Sequence, residues 1–554
     1  MDLTAESAGA PARRGLSALL RTPIDAPLGT AIAGLGLAWL SLLLCGPVPK
    51  DGPVFPHVFE YLFFRNEPSA AWLAIAILAS GLLLSRSSRL PERPFVARLS
   101  ADPRLFIASA TAVLALAALL VYRAHPLSMD EYAPLFQARV FARGRLDAQV
   151  PQVMLPRLLP PIRWFIEFGP GGAMLSGYSP GFALLLAPFA WLGCPWLLNP
   201  LLGGATLALT WRLSRQLWPG TSAPGWALLF TAASPAFSVN AISYYTMGAH
   251  LAASLAFAIL LLEGRFFLAG LVGSVAISLN NPFPHTLFAL PWLAAVAWRP
   301  GRIRNLSRMA AGYLPGLLLV AGWIWHRGQV TRPAQVSRGI LSGLSSLRQD
   351  AFALPGWDLL LARIMNLAEL ASWAAPLLLP LAVLGAVRCW RIPGVKLLVA
   401  SALVTLAGYT FVTFDQAHGW GFRYFHSAWS VLPLCAAGAV EGAQAAPALR
   451  RLAAWTALCS LLLCTPLRFG QVRTFIDRHL AQIPPAGEGR EIVFIDVAKG
   501  AYTVDLVQND PFLENDRWLL ISFGEREDRE FMVAFFPRSR RTLSGTFGSV
   551  WKVE

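Results

Sequence analysis

Charge is what this sequence has least of. Only 14% of its 554 residues are Asp, Glu, Lys or Arg, where soluble proteins carry about a quarter, so a water-soluble globule is excluded. Cysteine is scarce too: six residues, at 45, 194, 389, 435, 459 and 464, without a CxxC pair. A disulfide framework and a zinc site of paired cysteines therefore fall away, and the cysteines read as small apolar packing residues. No Gly-rich phosphate loop ending in Lys-Ser/Thr and no strand-turn-helix dinucleotide pattern occurs. A chemistry driven by soluble nucleotide thus lacks its usual sequence mark. No short apolar segment with a small-residue cleavage site stands at the N-terminus, so no removable leader is expected. Internal repeats are also missing, and with them the inverted halves common in secondary transporters.

What fills the sequence instead is apolar. Hydrophobic residues make up 55% of the chain, gathered into runs close to the ~20 residues that cross a hydrocarbon core. Segments 28–44, 70–84 and 105–122 are examples, and further spans are expected near 181–211, 224–241, 248–262, 266–280, 285–298, 309–326, 372–387, 397–414, 427–444 and 452–467. The expected fold class is an all-α polytopic membrane protein of about 13 transmembrane segments. Segment 181–211 divides at "GCPW" (193–196) and reads as a broken or re-entrant span, tolerable where protein or water covers its open backbone. The net charge of +15 does not call for nucleic acid. "SRSSRLPERPFVARLSADPR" (85–104) and "WRPGRIRNLSR" (298–308) concentrate arginine on one side of the expected spans, which is the positive-inside pattern with a cytoplasmic N-terminus.

That topology places three regions outside a cytoplasmic (inner) membrane: loops 123–180 and 327–371, and the chain from 468 onward. The expected organisation is 1–104 as a cytoplasmic tail plus two spans, 105–467 as the transmembrane body, and 468–554 as a small soluble domain. In the last, "REIVFIDVA" (490–498), "RWLLISF" (517–523), "FMVAFFP" (531–537) and "FGSVWKV" (547–553) alternate with turn residues, the pattern of a mixed α/β or β-rich domain.

Chemistry-bearing residues gather at the outer ends. "SMDEYAPLFQARVFARGRL" (128–146) sets Asp130 and Glu131 just beyond an apolar span. Two acids there read either as a solvated helix end or as a general base with a neighbouring acid that tunes it, since adjacent like charges raise one pKa. Arg139 and Arg143 follow four apart on one helix face, suited to lipid phosphates at headgroup depth or to plain interfacial anchoring. "GYSPGF" (177–182) turns sharply and returns Tyr178 beside the span that ends at Asp130. "FDQAHGWGFRYFHSAW" (414–429) adds Arg423, Tyr424, His418 and His426. Trp and Tyr are ordinary at a membrane edge, whereas the planar fork of Arg423 fits phosphate oxygens. All eight histidines (57, 125, 250, 285, 326, 418, 426, 479) fall on the outer side of this topology. His250, His285 and His326 lie at outer helix ends, where they could converge on a polar cavity with Asp130. None has metal-ligand spacing, so a divalent metal is not supported.

With these residues in view, the sequence resembles the GT-C superfamily of integral-membrane glycosyltransferases, in the branch of protein O-mannosyltransferases and lipid A aminoarabinose transferases. The likeness covers about 105–445, through "MDEYAPLFQARVFARGRL", "YSPGFALLLAPFAWLG", "LLNPLLGGATLALTWRLSRQLWPG" and "GFRYFHSAWSVLPL". It implies a catalytic acid in the first long outer loop, a polyprenyl-phosphate sugar as co-substrate, and a glycan, lipid or protein hydroxyl as acceptor. Carried over, Asp130 is the base, Glu131 its acidic neighbour, and Arg423 a ligand of the donor phosphate. The two spans before residue 105, "YSPG" in place of a double proline, and the C-terminal domain depart from that pattern. Two other readings remain at this level. One is a transporter or flippase for a lipid-linked or small solute, which would want ionisable residues inside spans. The other is a glycan ligase or polymerase relying on Arg327, Arg332, Arg338, Arg348 and Arg363 of the second outer loop.

Overall fold

The computed structural model describes residues 25–47, 58–85, 94–158, 165–331, 354–413, 415–441 and 447–554. His57, Arg332, Arg338 and Arg348 lie outside these. Among the described residues, five helices are long and apolar enough to cross a membrane: Pro27–Leu44, Val58–Ser85, Arg302–Thr331, Pro393–Thr410 and Pro447–Leu480. A sixth crossing arises if Phe95–Ala101 and Arg104–Leu120, bent by 96°, count as one. Most of the other segments expected to span hold shorter apolar helices of 10–17 residues: Gly181–Trp191, Ala223–Ala232, Met247–Leu262, Phe266–Ser278, Phe283–Ala297, Leu378–Arg388 and Val431–Glu441. An 11-residue helix spans only ~16 Å at 1.5 Å per residue, about half a hydrocarbon core.

Proline explains one interruption, because it removes a backbone donor and restricts the residue before it. The run at 224–241 breaks at Pro235 into Ala223–Ala232 and Pro235–Asn240. Segment 181–211 does divide as its sequence suggests: Gly181–Trp191 ends at a left-handed Gly193 (φ +73°), and Leu198–Leu217 resumes beyond it. The helices approach closely where side chains are small, as in lipid. A Cβ on Gly312 would stand 2.3 Å from the Phe267 carbonyl and 2.8 Å from Gly270 Cα, so helices Phe266–Ser278 and Arg302–Thr331 pack backbone to backbone.

The segment that follows helix Arg104–Leu120 carries the acid helix, Met129–Ala142, and a three-stranded antiparallel sheet. Its strands are β1 (Ala148–Gln149), β2 (Ile166–Phe168) and β3 (Ala173–Ser176), in the order β1-β3-β2. At the other end of the chain, helix Thr465–Leu480 continues the last long helix past 468. It leads to β4 (Glu491–Ile495), β5 (Arg517–Ile521), β6 (Arg540–Gly545) and β7 (Gly548–Lys552), ordered β5-β4-β7-β6 with only the β4–β5 pair parallel.

The strand-like run "FMVAFFP" is not a strand. It closes a helix, Glu525–Phe535, that starts after a left-handed Gly524 and has Glu525, Glu527 and Asp528 in its first turn. Its buried residues Asp528, Phe531 and Met532 follow the helical period, and acids at a helix start are favoured by its dipole. The domain is therefore mixed α/β. It shares one hydrophobic core with the acid helix and the segment after it, in which Tyr132, Phe136, Met154 and Ile166 pack with Ile492, Phe494, Trp518 and Phe531.

Candidate active site at the acid helix

Asp130 and Glu131 are adjacent in sequence and opposite in fate. Successive helical residues point about 100° apart, so one acid can face the open site while its neighbour enters the core. Glu131 has no exposed surface. Its Oε1 accepts from the Tyr122 hydroxyl at 2.9 Å and the Tyr244 amide at 2.7 Å, and its Oε2 from the Leu127 amide at 2.7 Å. These bonds tie the start of the acid helix to two other parts of the chain. Burial pushes the Glu131 carboxyl up to about 7, with the Asp130 charge the smallest contributor. The main cause of this rise is desolvation, and not the like charge next to it. Glu131 touches no open surface and serves to hold the loop.

Asp130 keeps 24% of its side chain exposed. Its Oδ1 accepts from the Tyr178 hydroxyl, and Arg423 Nη2 donates to its Oδ2 at 2.9 Å. Three segments far apart in sequence, 128–142, 177–180 and 415–425, therefore meet at one carboxylate. Burial, and then the neighbouring Asp130 charge, raise the Tyr178 hydroxyl well above its ordinary range, so it stays a donor.

Arg423 is fixed by Gln416, a residue the sequence did not single out. The Arg423 amide donates to Gln416 Oε1 at 3.0 Å, Nε to the Gln416 carbonyl at 2.9 Å, and Nη2 to the same carbonyl at 2.5 Å. Gln416 in turn donates through Nε2 to Glu369 Oε2 at 2.9 Å and to the Gly421 carbonyl at 2.8 Å. The guanidinium lies 5.0 Å from the Tyr245 ring centre and 5.4 Å from that of Tyr424. Burial acts against its charge, but Asp130 and the flanking tyrosines outweigh it and raise the Arg423 pKa above its usual value. The planar fork is held along one edge by Gln416 and Asp130, and among the described residues no hydrogen bond is made by Nη1.

The remaining candidates separate into neighbours and bystanders. Tyr424 stacks on Tyr409 at 4.8 Å and donates to the Asp415 carbonyl at 2.9 Å, beside Arg423. His426 is buried against Trp429, and burial lowers it to about 3, leaving a neutral imidazole. His418 Nε2 lies 3.1 Å from Asp505 Oδ2, a contact with the C-terminal domain.

Among the described residues His250 and His285 make no hydrogen bond to Asp130. They bond to Asn280 at 2.9 Å and to the Tyr313 hydroxyl at 2.7 Å, and His250 reaches the Tyr178 turn only through Asn280, whose carbonyl accepts from Ser179. His326 instead faces Asp147 at 3.5 Å. Arg139 and Arg143 sit ~14 and ~20 Å along the helix axis from Asp130. Arg143 pairs with Glu514 and lies 5.9 Å from the Phe512 ring centre. Among the described residues neither arginine pairs with Asp130, and the Arg139 charge is felt at the Tyr132 and Tyr244 hydroxyls. Among the described residues no group of three His, Cys, Asp or Glu side chains is placed to hold a metal ion.

No family model and no curated protein matches this sequence. Solved structures do. ArnT from Cupriavidus metallidurans bound to undecaprenyl phosphate superposes with a TM-score of 0.50 at 12% identity, over 79% of this chain and 88% of that one. The apo form gives 0.50 at 11% identity, over 81% and 98%. The fold is GT-C-like. At this identity the likeness concerns architecture. It makes the chain a multi-pass membrane protein of that architecture, with the acid helix packed against a C-terminal mixed domain.

Proposed function

We propose that this protein is a membrane glycosyltransferase that moves a sugar from a polyprenyl-phosphate donor to a hydroxyl acceptor. The acceptor belongs to a glycan, lipid or protein of the cell envelope. The reading places the reaction on the periplasmic face of the inner membrane, with the N-terminus cytoplasmic, about 13 crossings, and the domain from 468 onward on the active-site side. The observation that carries it is the Asp130–Arg423 contact at 2.9 Å with Tyr178 on the second carboxylate oxygen, set in a fold similar to that of a protein crystallised with undecaprenyl phosphate.

In this mechanism the donor phosphate takes up Arg423, through Nη1 and then through Nη2, and so releases Asp130 Oδ2. The freed carboxylate accepts the proton of the acceptor hydroxyl. The acceptor oxygen bonds to the anomeric carbon as the bond from that carbon to the phosphate oxygen breaks. Polyprenyl phosphate leaves, its charge stabilised by the guanidinium. Tyr178 holds the base in place, Glu131 holds the helix, and a lipid donor confined to the bilayer supplies proximity. Arg139 and Arg143 would meet lipid headgroups at the membrane surface.

The test uses the full chain in nanodiscs with a panel of undecaprenyl-phosphate sugars and envelope acceptors, following release of undecaprenyl phosphate. Wild-type protein should turn over at least one donor. Asp130→Asn should lower kcat by ~10²–10⁴ while undecaprenyl phosphate still binds. Full activity of a folded Asp130→Asn protein would remove the base from the mechanism.

A further inference from the structure

The acid helix has an unusual start. Ser128 occupies its N-cap position, yet its side chain makes no capping bond. Its hydroxyl is committed instead to the Tyr245 hydroxyl at 3.1 Å, and the Tyr245 ring lies under the Arg423 guanidinium. Glu131, three residues on, reaches back past Ser128 to the Leu127 amide. Local residues therefore leave the first helical amide, Met129 N, without a side-chain acceptor, and a buried amide without one is costly. The acceptor comes from the C-terminal domain: Asp505 Oδ1 takes the Met129 amide at 3.1 Å across 376 residues.

Asp505 is itself buried, and His418 lies against its other oxygen. The same short segment also grips the helix at Tyr132 and the chain just before it at Pro126. Asn509 and Tyr132 exchange bonds, the Tyr132 hydroxyl donating to the Asn509 carbonyl at 2.6 Å and the Asn509 amide to that hydroxyl at 2.9 Å. Gln508 Nε2 donates to the Pro126 carbonyl at 2.8 Å.

We infer that Asp505 is a positioning residue for the active site: it caps the acid helix from the C-terminal domain and thereby sets Asp130 against Arg423 and Tyr178. The inference rests on the sugar-transfer reading for its effect on turnover, but not for its effect on the helix. Met129 and Asp130 are consecutive, so a loosened first turn displaces the carboxylate directly. A misplacement of ~1 Å in a catalytic group is worth about a hundredfold in rate. The C-terminal domain is then a working part of the site. Asn caps as well as Asp, so the acceptor oxygen matters here and the charge does not.

The test compares Asp505→Asn, Asp505→Ala and Asp505→Glu in the full chain in nanodiscs, by amide hydrogen exchange over 127–133 and by undecaprenyl phosphate release with the best donor of the panel. Asp505→Ala should speed exchange of that segment ~10-fold and lower kcat ~10- to 100-fold, with the Kd for undecaprenyl phosphate within about twofold, since Arg423 keeps its Gln416 bonds. Asp505→Asn should restore both readings to near wild type. Asp505→Glu keeps the charge but moves the acceptor by a methylene, and should resemble Ala; it decides the matter if Ala does not fold. Wild-type exchange and turnover in Ala or Glu would overturn the inference, as would an Asn variant as impaired as Ala. If wild-type protein neither binds undecaprenyl phosphate nor consumes a donor, the transfer reading fails, while the exchange comparison still judges the cap.

Discussion

Replacing Arg423 by Gln tests the part of the site that most directly connects structure to chemistry. In the folded protein Arg423 gives Asp130 one charge-assisted bond and gives the Gln416 carbonyl two more. A glutamine at 423 can still donate one bond to that carbonyl, and Asp130, partly exposed and held by Tyr178, can turn to water. The fold should survive. What disappears is the group proposed to receive phosphate. One charged hydrogen bond to a bound anion contributes ~1.5–3 kcal/mol, which sets an expected rise of ~10- to 150-fold in the Kd for undecaprenyl phosphate. The charge on the leaving phosphate grows during the reaction, so kcat should fall further, by the ~10²–10³ typical of losing one pre-aimed donor. Arg423→Lys separates charge from geometry. It keeps the cation but not the fork, so it should recover binding better than turnover. Titration of nanodisc-embedded protein with undecaprenyl phosphate, followed by donor consumption, reads both quantities. If Arg423→Gln binds like wild type and turns over within about threefold, phosphate is not received there, and the reasoning that made a guanidinium the partner of the leaving group is wrong.

Two further outcomes follow from buried charge. The Glu131 carboxyl titrates at about 7 against a reference of 4.5 because it is buried, so the folded protein holds this proton more tightly than the unfolded chain. Its contribution is fully present below 4.5 and is lost as pH rises toward 7, about 3 kcal/mol in all. Melts between pH 4.5 and 8 should show this slope, and Glu131→Gln should flatten it while lowering Tm throughout, because its amide nitrogen cannot accept from Tyr244 or Leu127; an unchanged slope would refute the assignment. Arg157 forms a buried pair with Asp528 at 2.6 Å and also donates to the carbonyls of Ile521 and Glu527, joining the segment after the acid helix to the C-terminal domain. Arg157→Ala should destabilise by ~3–5 kcal/mol and expose the C-terminal domain to limited proteolysis; wild-type Tm and cleavage pattern would show that the two parts do not depend on this clamp.

Scarcity made part of this site legible. Where few residues are charged, an acid or an arginine between apolar runs stands out, and Asp130, Arg423 and the returning Tyr178 could be picked from local context alone. Their neighbours could not. Gln416 is an ordinary amide in a short loop until its carbonyl is seen holding a guanidinium. Tyr245 reads as one aromatic among many. Asp505 lies in a segment whose only sequence message was a turn between strands, 376 residues from the amide it caps. Patterns of period 2 and 3.6 report burial along one element and carry no information about which distant element completes it.

The same limit explains the helix at 525–535, where a short apolar run is compatible with either period, and the two acids, whose contrast appears only once a helix turns them apart. A membrane protein has little polar material with which to build a reactive centre, and here the material comes from four separated stretches of chain. The carboxylate, the tyrosine and the arginine come from loops next to apolar helices, and the cap comes from outside them. The first turn of the acid helix is held from the apolar body through Tyr122, Tyr244 and Tyr245 and from the C-terminal domain through Asp505, so its rigidity requires both. That requirement gives the C-terminal sheet and helix a physical reason to be joined to this chain.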